Sequence, residues 1–363
     1  MGPNTLRYVS LHFLLTRCIE MNHDPPHRHK PGNGTFSIVG MDPCTREWGV
    51  AVASRILDCG YVVIWLKPEV GAVATQGQVN ARLGPLALEL LASGRSADEA
   101  LGEALATDPG SSVRQLAIVD RLGNPAAHTG SDTLQWAGHL TAENVSVQGN
   151  IIVGPQVIRA MLETFRDNPG ELPERLLSAL EAGEREGGDR RGRQSAALVV
   201  TRQRGGYDGT DDRLVDIRVP DHPEPVMELR RLYDMWSYAF LAPAYLRLAD
   251  EDHDCASTFR QRTRNLIVKA LGDGLAKAEI YNNLAWHLAM RRDFPAETHQ
   301  VARCAHDLAP EDPNIMDTLA EACFAAGEYR RAVHYEREAL KREPGNEFFL
   351  QQLARFSKGL ETA

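Results

Sequence analysis

The sequence lacks several patterns that would assign a function directly. No stretch approaches the roughly 18 consecutive apolar residues that a membrane-spanning helix requires. The dinucleotide-binding pattern G-x-G-x-x-G, the Walker phosphate-binding loop and the zinc-protease pattern H-E-x-x-H are missing as well. These absences argue against a membrane protein, against nucleotide binding through either loop, and against a zinc protease of that class.

Paired cysteines and a basic excess are also missing. No C-x-x-C pair occurs, which makes both a disulfide framework and a zinc site poor interpretations and favours a reducing, cytoplasmic location. The formal charge of −9 argues against nucleic acid as a partner, because nucleic acid requires basic surfaces. No cofactor or metal is predicted. The six cysteines are scattered along the chain, at Cys18, Cys44, Cys59, Cys255, Cys304 and Cys323.

The length and composition of the chain are typical of a soluble globular protein of two or three domains. The chain has 363 residues, of which 43% are hydrophobic and 25% charged. Residues 1–34 are interpreted separately, as a disordered leader or propeptide, and Met21 is an alternative start. They contain the proline-rich tract HDPPHRHKPGNG, where metal binding by His23, His27 and His29 is the less favoured alternative.

Residues 35 to 220 are predicted to fold as alternating groups of strands and helices. Predicted strands include Thr35–Val39, Trp48–Ser54 and Tyr61–Leu66, and Ser96 with Glu99 three positions later forms a capping box that begins a helix. The order is strands, two helices, strands, two helices, strands. That order predicts an α+β domain with helices outside a largely antiparallel double sheet.

The last part of the chain repeats itself. Leu284-Ala285 matches Leu319-Ala320 at a spacing of 35, and Pro310 matches Pro344 at a spacing of 34. A period near 34, with small residues at helix crossings and proline at the end, is typical of tetratricopeptide repeats. We therefore predict a helical connector over residues 221–277 and tetratricopeptide-like repeats over residues 278–363. The repeats are expected to bind a partner protein or a second copy of the chain.

Short stretches of the first domain resemble a known family. They are Thr35-Phe36-Ser37-Ile38-Val39, Gly49-Val50-Ala51-Val52-Ala53-Ser54, Gly71-Ala72-Val73-Ala74-Thr75-Gln76, Val147-Gln148-Gly149-Asn150, Gly188-Asp189 through Gln194-Ser195-Ala196-Ala197-Leu198, and Asp221-His222-Pro223. Residues 35 to about 225 resemble the domain of unknown function (DUF) 1028 family. That family is placed in the N-terminal-nucleophile (Ntn) hydrolase superfamily, so the resemblance implies a four-layer αββα sandwich.

The Gly34-Thr35 junction is the candidate for chemistry. If the bond before Thr35 is cut, the residue gains a free α-amine beside its hydroxyl, which together form a nucleophile and its base. An α-amine titrates near 7.7–8.0, so much of it is neutral at physiological pH. The sequence thus predicts an amidohydrolase for a small amide or peptide. Because 34 residues precede Thr35, exposure requires self-cleavage, another protease or a later start codon.

Other polar residues are assigned roles around Thr35. Ser54 and Asn150 are predicted to act with it in catalysis, Ser54 by hydrogen bonding the amine and Asn150 by stabilising an oxyanion. The predicted substrate-binding residues are Gln76, Asn80, Gln148, Asp189 and Arg191. A Ser/His/Asp triad using His128 or His139 is disfavoured, because no G-x-S-x-G elbow accompanies them. The alternative function is an inactive scaffold of the same fold whose repeats bind a partner protein.

Overall fold

The computed structural model describes residues 34–362, which form ten strands and thirteen α-helices. The interpretations of the leader, including its histidines, therefore lie outside the described residues. The strands are Thr35–Asp42 (β1), Glu47–Ser54 (β2), Ile64–Lys67 (β3), Gly71–Gly77 (β4), Arg114–Asp120 (β5), Pro125–Thr129 (β6), Gly138–Ala142 (β7), Val145–Asn150 (β8), Ser195–Thr201 (β9) and Arg213–Val219 (β10).

The helices lie in two groups along the chain. Those among the strands are Cys59–Val63 (α1), Leu83–Ala92 (α2), Ala97–Ala106 (α3), Pro155–Asp167 (α4) and Leu172–Arg185 (α5). Those that follow the strands are Pro225–Trp236 (α6), Ala242–Glu251 (α7), Ala256–Asp273 (α8), Ala278–Arg291 (α9), Pro295–Leu308 (α10), Pro313–Ala325 (α11), Tyr329–Arg342 (α12) and Glu347–Thr362 (α13). No helix within residues 34–362 is long and apolar enough to cross a membrane.

Both sheets are antiparallel, as the order of elements predicts. The larger sheet has the strand order β10-β9-β2-β1-β8-β7, and the smaller has the order β3-β4-β5-β6. The α+β composition and the double sheet are thereby confirmed. Strand β1, which begins at Thr35, lies inside the larger sheet between β2 and β8.

Alternation along β1 separates two apolar cores. Phe36 and Ile38 belong to the core that contains residues of α4 and α5, whereas Val39 and Met41 belong to the core between the two sheets. Successive side chains of a strand point to opposite faces, so Thr35 shares the face of Val39 and points toward the smaller sheet. Helices α2 and α3 pack on the far face of that smaller sheet.

Paired glycines let α5 approach the larger sheet closely. Gly40 in β1 lies opposite Gly49 in β2. A Cβ atom added at Gly49 would lie 2.4 Å from a methyl carbon of Leu176 in α5, and one added at Gly40 would lie 3.1 Å from another. Side chains larger than hydrogen would therefore push this helix away from the strands that carry Thr35.

The predicted strand Tyr61–Leu66 is wrong over its first half. Residues 59–63 form α1, and only Ile64–Lys67 is a strand. The reason is tertiary packing: Cys59 and Val63, four residues apart, are both buried between the sheets, while Tyr61 is 73% exposed. Helical spacing buries the first two and leaves the third in solvent, which a strand would not do.

The predicted connector is helical and is anchored to the first domain by a buried ion pair. Arg262 of α8 donates to Asp42 Oδ2 at 2.6 Å and to Glu47 Oε1 at 2.9 Å. Glu47 is fully buried, and burial raises the pKa of its carboxyl to about 7 although Arg262 opposes the rise. Asp42 also accepts from the backbone N–H of Cys44 within its own turn.

The C-terminal helices pack in successive pairs, α9 with α10 and α11 with α12, and α13 packs on α12. The small residues that the repeat pattern places at helix crossings, Ala285 and Ala320, are fully buried. Pro310 and Pro344 each stand two residues after the end of a helix, where the pattern predicts them. Five helices, α9 to α13, therefore follow one another through the predicted repeat region up to Thr362.

Candidate functional site around Thr35

A row of polar residues crosses one end of the larger sheet. Thr35 pairs with Ser54 on one side and with Asn150 on the other, and Ser54 pairs in turn with Ser195. Directly opposed residues of an antiparallel pair present their side chains on the same face. The three residues predicted to be catalytic are therefore neighbours, and all are at least 98% buried.

The carbonyl oxygen of Gly34 accepts three hydrogen bonds. Thr35 Oγ donates to it at 2.7 Å, Arg191 Nη2 donates at 2.8 Å, and Ser54 Oγ donates at short range. The two hydroxyl oxygens lie 3.0 Å apart. Two hydroxyls and a guanidinium thus converge on the carbonyl of the bond that precedes Thr35.

Asp189 holds Arg191 in position. Its carboxylate accepts from the Nε, Nη2 and backbone N–H of Arg191, at 3.1, 2.7 and 2.9 Å, and from the backbone N–H of Arg55 at 3.0 Å. The turn that carries them depends on glycine, because Gly188 and Gly192 have φ of +48° and +107°. The ion pair is a local one, and it also reaches the Gly34-Thr35 junction.

The identity of residue 34 follows from Asp189. A Cβ atom added at Gly34 would lie 2.7 Å from Asp189 Oδ1 and 2.9 Å from Asp189 Oδ2. Contacts below 3.0 Å require displacement, and the Asp189 carboxylate is fixed by its own hydrogen bonds. Glycine is therefore the residue that fits before Thr35.

A second network, made of amide side chains between the two sheets, hydrogen bonds the backbone of Thr35. Gln76 Nε2 donates to the carbonyl oxygen of Thr35 at 3.2 Å and to Gln115 Oε1 at 2.9 Å. Asn150 Nδ2 donates to the same Gln115 oxygen at 2.9 Å. Gln115 in turn donates to Thr129 Oγ1 and to the carbonyl oxygens of Gly138 and Gly149. This network ties both sheets together beside the nucleophile candidate.

Gln115 is the residue that the sequence reasoning missed. It is the second residue of β5, and the residues that follow it, Leu116 to Val119, are apolar and buried. An amide in an otherwise apolar strand requires hydrogen-bond partners, and Gln148 and Asn150 in β8 give the same signal. Applied to β5, the signal would have found Gln115 too.

Gln148 and Asn80 lie apart from the Gly34 carbonyl. Gln148 Nε2 donates to Ala74 O at 3.0 Å, deeper between the sheets, and its Oε1 is buried without a partner. Asn80 Nδ2 donates to Asp108 Oδ2 at 3.1 Å. There the Arg114 guanidinium lowers the pKa of Asp108 to about 2. Among the described residues, Asn80 is thus part of a different cluster from the one that surrounds Thr35.

The two histidines considered for a triad serve other contacts. His139 Nδ1 lies 2.9 Å from Thr129 Oγ1, and His128 Nε2 lies 3.0 Å from Ser111 O. Burial lowers the pKa of His139, which favours its neutral form. Through Thr129, His139 reaches the Gln115 network rather than a serine nucleophile.

One group among the described residues has metal-ligand chemistry, and it lies in the helical region. The ligand atoms of His299, Cys323 and Glu328 lie within 4.8 Å of one another. Burial raises the pKa of the Cys323 thiol to about 12, and Arg331 donates to the Glu328 carboxylate. A protonated thiol and an adjacent guanidinium both disfavour a cation at this place.

Comparison with known proteins identifies relatives of the first domain. A family model described as "Family of unknown function (DUF1028)" matches residues 35–229. A crystal structure of a protein from Silicibacter pomeroyi, assigned to the same family model, is 32% identical over 58% of this chain and 92% of that chain, with a TM-score of 0.52. None of the curated proteins compared with the chain matches it.

A second solved structure also matches part of the chain. A thermophilic tetratricopeptide-repeat protein from Thermus thermophilus is 17% identical over 55% of this chain and 87% of that chain. The TM-score of that match is 0.29.

Proposed function

The chain belongs to the DUF1028 family, whose function is unknown, and we propose that it is an Ntn amidohydrolase that cleaves its own Gly34-Thr35 bond. Thr35 then acts as the nucleophile on a small amide or peptide. The observation that carries the proposal is the set of donors on the Gly34 carbonyl oxygen, from Thr35, Ser54 and Arg191.

Self-cleavage uses these groups in a definite order. Thr35 Oγ attacks the carbonyl carbon of Gly34, and Ser54 and Arg191 donate to the oxyanion that forms. The C–N bond breaks, the Thr35 nitrogen takes the hydroxyl proton, and an ester joins Gly34 to Thr35 Oγ. Water hydrolyses that ester, which leaves a carboxylate at Gly34 and a free amine at Thr35.

The same donors then serve an external substrate. Release of the segment that ends at Gly34 vacates the position of its carbonyl beside Ser54 and Arg191, where a substrate carbonyl is placed for attack by Thr35. The α-amine of Thr35 takes the hydroxyl proton, since its ordinary pKa of about 7.7–8.0 suits a base near neutral pH. The Gln76–Gln115–Asn150 network holds the strand that carries the nucleophile.

The layering of the first domain supports an Ntn-type fold. Helices α4 and α5, the larger sheet, the smaller sheet, and helices α2 and α3 pack in that order. This order supports the αββα arrangement that the family resemblance implies. The order of the layers therefore favours an Ntn-type fold for the first domain.

The test is the N-terminus of purified protein expressed from Met1, measured by intact mass and N-terminal sequencing. Thr35→Val removes the hydroxyl and keeps the β-branched shape, whereas Thr35→Ser keeps a hydroxyl and is the matched control. We expect wild type and Thr35→Ser to begin at residue 35, and Thr35→Val to keep Gly34 attached. Arg191→Met should slow cleavage by about 100-fold, the effect of removing one oxyanion donor.

Two results would contradict the proposal. Cleavage before residue 35 in Thr35→Val as well as in wild type would show that another protease makes the cut. An uncleaved chain in wild type would remove the free amine and with it the hydrolase mechanism. The scaffold function, in which the domain keeps the fold without catalysis, would then be favoured.

A further inference from the structure

Two cysteines that are 211 positions apart in the sequence meet at the junction between the first domain and the connector. Cys44 lies in the turn between β1 and β2, and Cys255 directly precedes α8. The Sγ atom of Cys255 donates to the carbonyl oxygen of Cys44 at 2.9 Å. The Sγ atom of Cys44 lies 4.0 Å from Oγ1 of Thr258, in the first turn of α8. Each thiol therefore contacts the segment that carries the other.

The thiol of Cys44 also acts on the thiol of Cys255. Burial raises the pKa of Cys255, the Asp252 carboxylate and the Cys44 thiol add to the rise, and the Arg202 guanidinium opposes it. An electrostatic effect between two groups weakens as the distance between them grows. The effect of Cys44 on Cys255 therefore indicates that the two thiols lie near each other.

Solvent reaches both members of the pair. Cys44 is exposed and Cys255 is partly exposed, whereas Cys59 and Cys323 are buried. Reactive cysteines are those that solvent and small reagents reach. Cys44 and Cys255 thus combine proximity with access to a small reagent.

Polar contacts hold the two segments together. Asp42 accepts from the backbone N–H of Cys44 at 2.9 Å. Asp252 accepts from the backbone N–H of Cys255 at 3.2 Å. Arg202 joins the two segments, because it donates to Asp252 and, at 2.8 Å, to the carbonyl oxygen of the residue that follows Cys44. A disulfide forms without strain only where the backbone already places two cysteines close together, and these contacts keep it so.

We propose that Cys44 and Cys255 are a redox modification site, at which exchange with a low-molecular-weight disulfide such as oxidised glutathione forms a reversible disulfide. The more exposed Cys44 thiol loses its proton to water, and the thiolate attacks one sulfur of glutathione disulfide. One glutathione thiolate leaves and takes up a proton, and a mixed disulfide remains on Cys44. The Cys255 thiol then loses its proton to water, and its thiolate attacks the Cys44 sulfur. The second glutathione leaves and takes up a proton, so two protein thiols are oxidised and one glutathione disulfide is reduced to two thiols.

The disulfide fastens α8 to the turn between β1 and β2. In the reduced chain this junction depends on noncovalent contacts, such as the ion pairs of Arg262 with Asp42 and Glu47. A cross-link that closes a long loop restricts the unfolded chain more than one that closes a short loop. Oxidation should therefore stabilise the fold. The inference is independent of Thr35 and of the proposed hydrolase.

The experiment exposes the reduced full chain to mixtures of glutathione and glutathione disulfide at about pH 8, where part of an exposed thiol is ionised. Remaining thiols are blocked with N-ethylmaleimide, and intact mass followed by a nonreducing protease digest identifies the linked cysteines. We expect a peptide pair that joins Cys44 to Cys255, formed as the share of glutathione disulfide rises and lost again in dithiothreitol. The oxidised chain should melt about 5 °C or more above the reduced chain.

Serine variants locate the site. Cys44→Ser and Cys255→Ser should each abolish the linked peptide pair and the gain in melting temperature. The matched control is Cys304→Ser, the same substitution at a partly exposed cysteine on α10, which should keep both. Unfolding the wild-type chain in urea before oxidation should remove the preference for this pair, because the fold is what brings the two thiols together.

The proposal is wrong if the wild-type chain keeps both thiols, or carries only mixed disulfides with glutathione, when glutathione disulfide is in large excess. It is also wrong if Cys44 links to a different cysteine, or if the linked chain melts no higher than the reduced chain. The digest of the wild-type chain decides between these results without any substitution, so a variant that fails to fold leaves the test intact.

Discussion

Two clusters of buried polar side chains differ in their chemistry: the amide network between the sheets beside Thr35, and the carboxylates between the last helices around Asp317. The network centred on Gln115 consists of neutral amides and hydroxyls, and Gln115 alone makes five hydrogen bonds. Around Asp317 the buried groups include the carboxyl groups of Asp317, Glu321 and Glu336.

The two clusters differ in whether their buried groups can change charge. Neutral groups with complete hydrogen bonding fix a geometry that does not change with pH, as a preorganised catalytic site requires. Carboxylates in an apolar surrounding resist ionisation. Burial raises the pKa of Glu336 to about 9, and the neighbouring Asp317 carboxyl adds to the rise. The geometry of the amide network is therefore independent of pH, whereas the ionisation of the carboxylate cluster changes with pH.

The largest expected effect comes from removing the centre of the neutral network. Gln115→Leu leaves the Gln76 and Asn150 amides without their shared acceptor, and it removes a donor to Thr129 Oγ1 and to the carbonyl oxygens of Gly138 and Gly149. We expect the free energy of unfolding to fall by about 3–5 kcal/mol, since each buried unsatisfied group costs about 1–3 kcal/mol. Urea denaturation measures the change.

The matched control for Gln115 is Gln203→Leu, the same substitution at an exposed position. It should change the free energy of unfolding by no more than about 0.5 kcal/mol. A loss of similar size in both variants would mean that the network does not stabilise the sheets.

A smaller effect, visible only as a function of pH, is expected from Glu336→Gln. The folded-state pKa of about 9 lies above the ordinary value of 4.5. The folded chain therefore keeps a proton that the unfolded chain releases, and stability falls as pH rises between those values. The variant has no such group, so its melting temperature should match that of wild type near pH 5 and exceed it by several degrees near pH 9.

Glu361→Gln, near the exposed end of α13, is the control for that measurement. It should reproduce the wild-type pH dependence of the melting temperature. If Glu336→Gln also reproduces it, the Glu336 carboxyl does not hold a proton in the folded chain, and the contrast between the two regions fails.

Much of the first domain, residues 35 to 220, could be predicted from the sequence, because the signals are local. Ser96 and Glu99 form the predicted capping box, with both reciprocal hydrogen bonds present. The two-residue period of the strands brings Thr35, Ser54 and Asn150 to one face, although pairing of the strands was needed to make them neighbours.

Long-range pairings could not be predicted in this way. Arg262 reaches Asp42 and Glu47 across more than 200 positions of the chain, and no periodicity encodes that contact. The same holds for the approach of Arg191 to Gly34, which depends on how the glycine turn is placed against β1. The carboxylate cluster around Asp317 was missed because its members are spread over separate helices, each with an ordinary amphipathic pattern.

The smallest effects come from two serines on adjacent strands of the larger sheet, both fully buried. Ser37 Oγ donates to Gln76 Oε1 at 2.7 Å, whereas Ser146 Oγ has no partner. We expect Ser37→Ala to lower the free energy of unfolding by about 1–2 kcal/mol, because it leaves a buried amide oxygen unsatisfied. Ser146→Ala removes an unpaired hydroxyl from an apolar surrounding, so its effect should lie within about 0.5 kcal/mol of zero or be stabilising. Because the two substitutions are identical and the sites lie in neighbouring strands, their difference isolates hydrogen bonding from burial. Equal losses would mean that packing around the serine, rather than partnership with Gln76, stabilises the region beside Thr35.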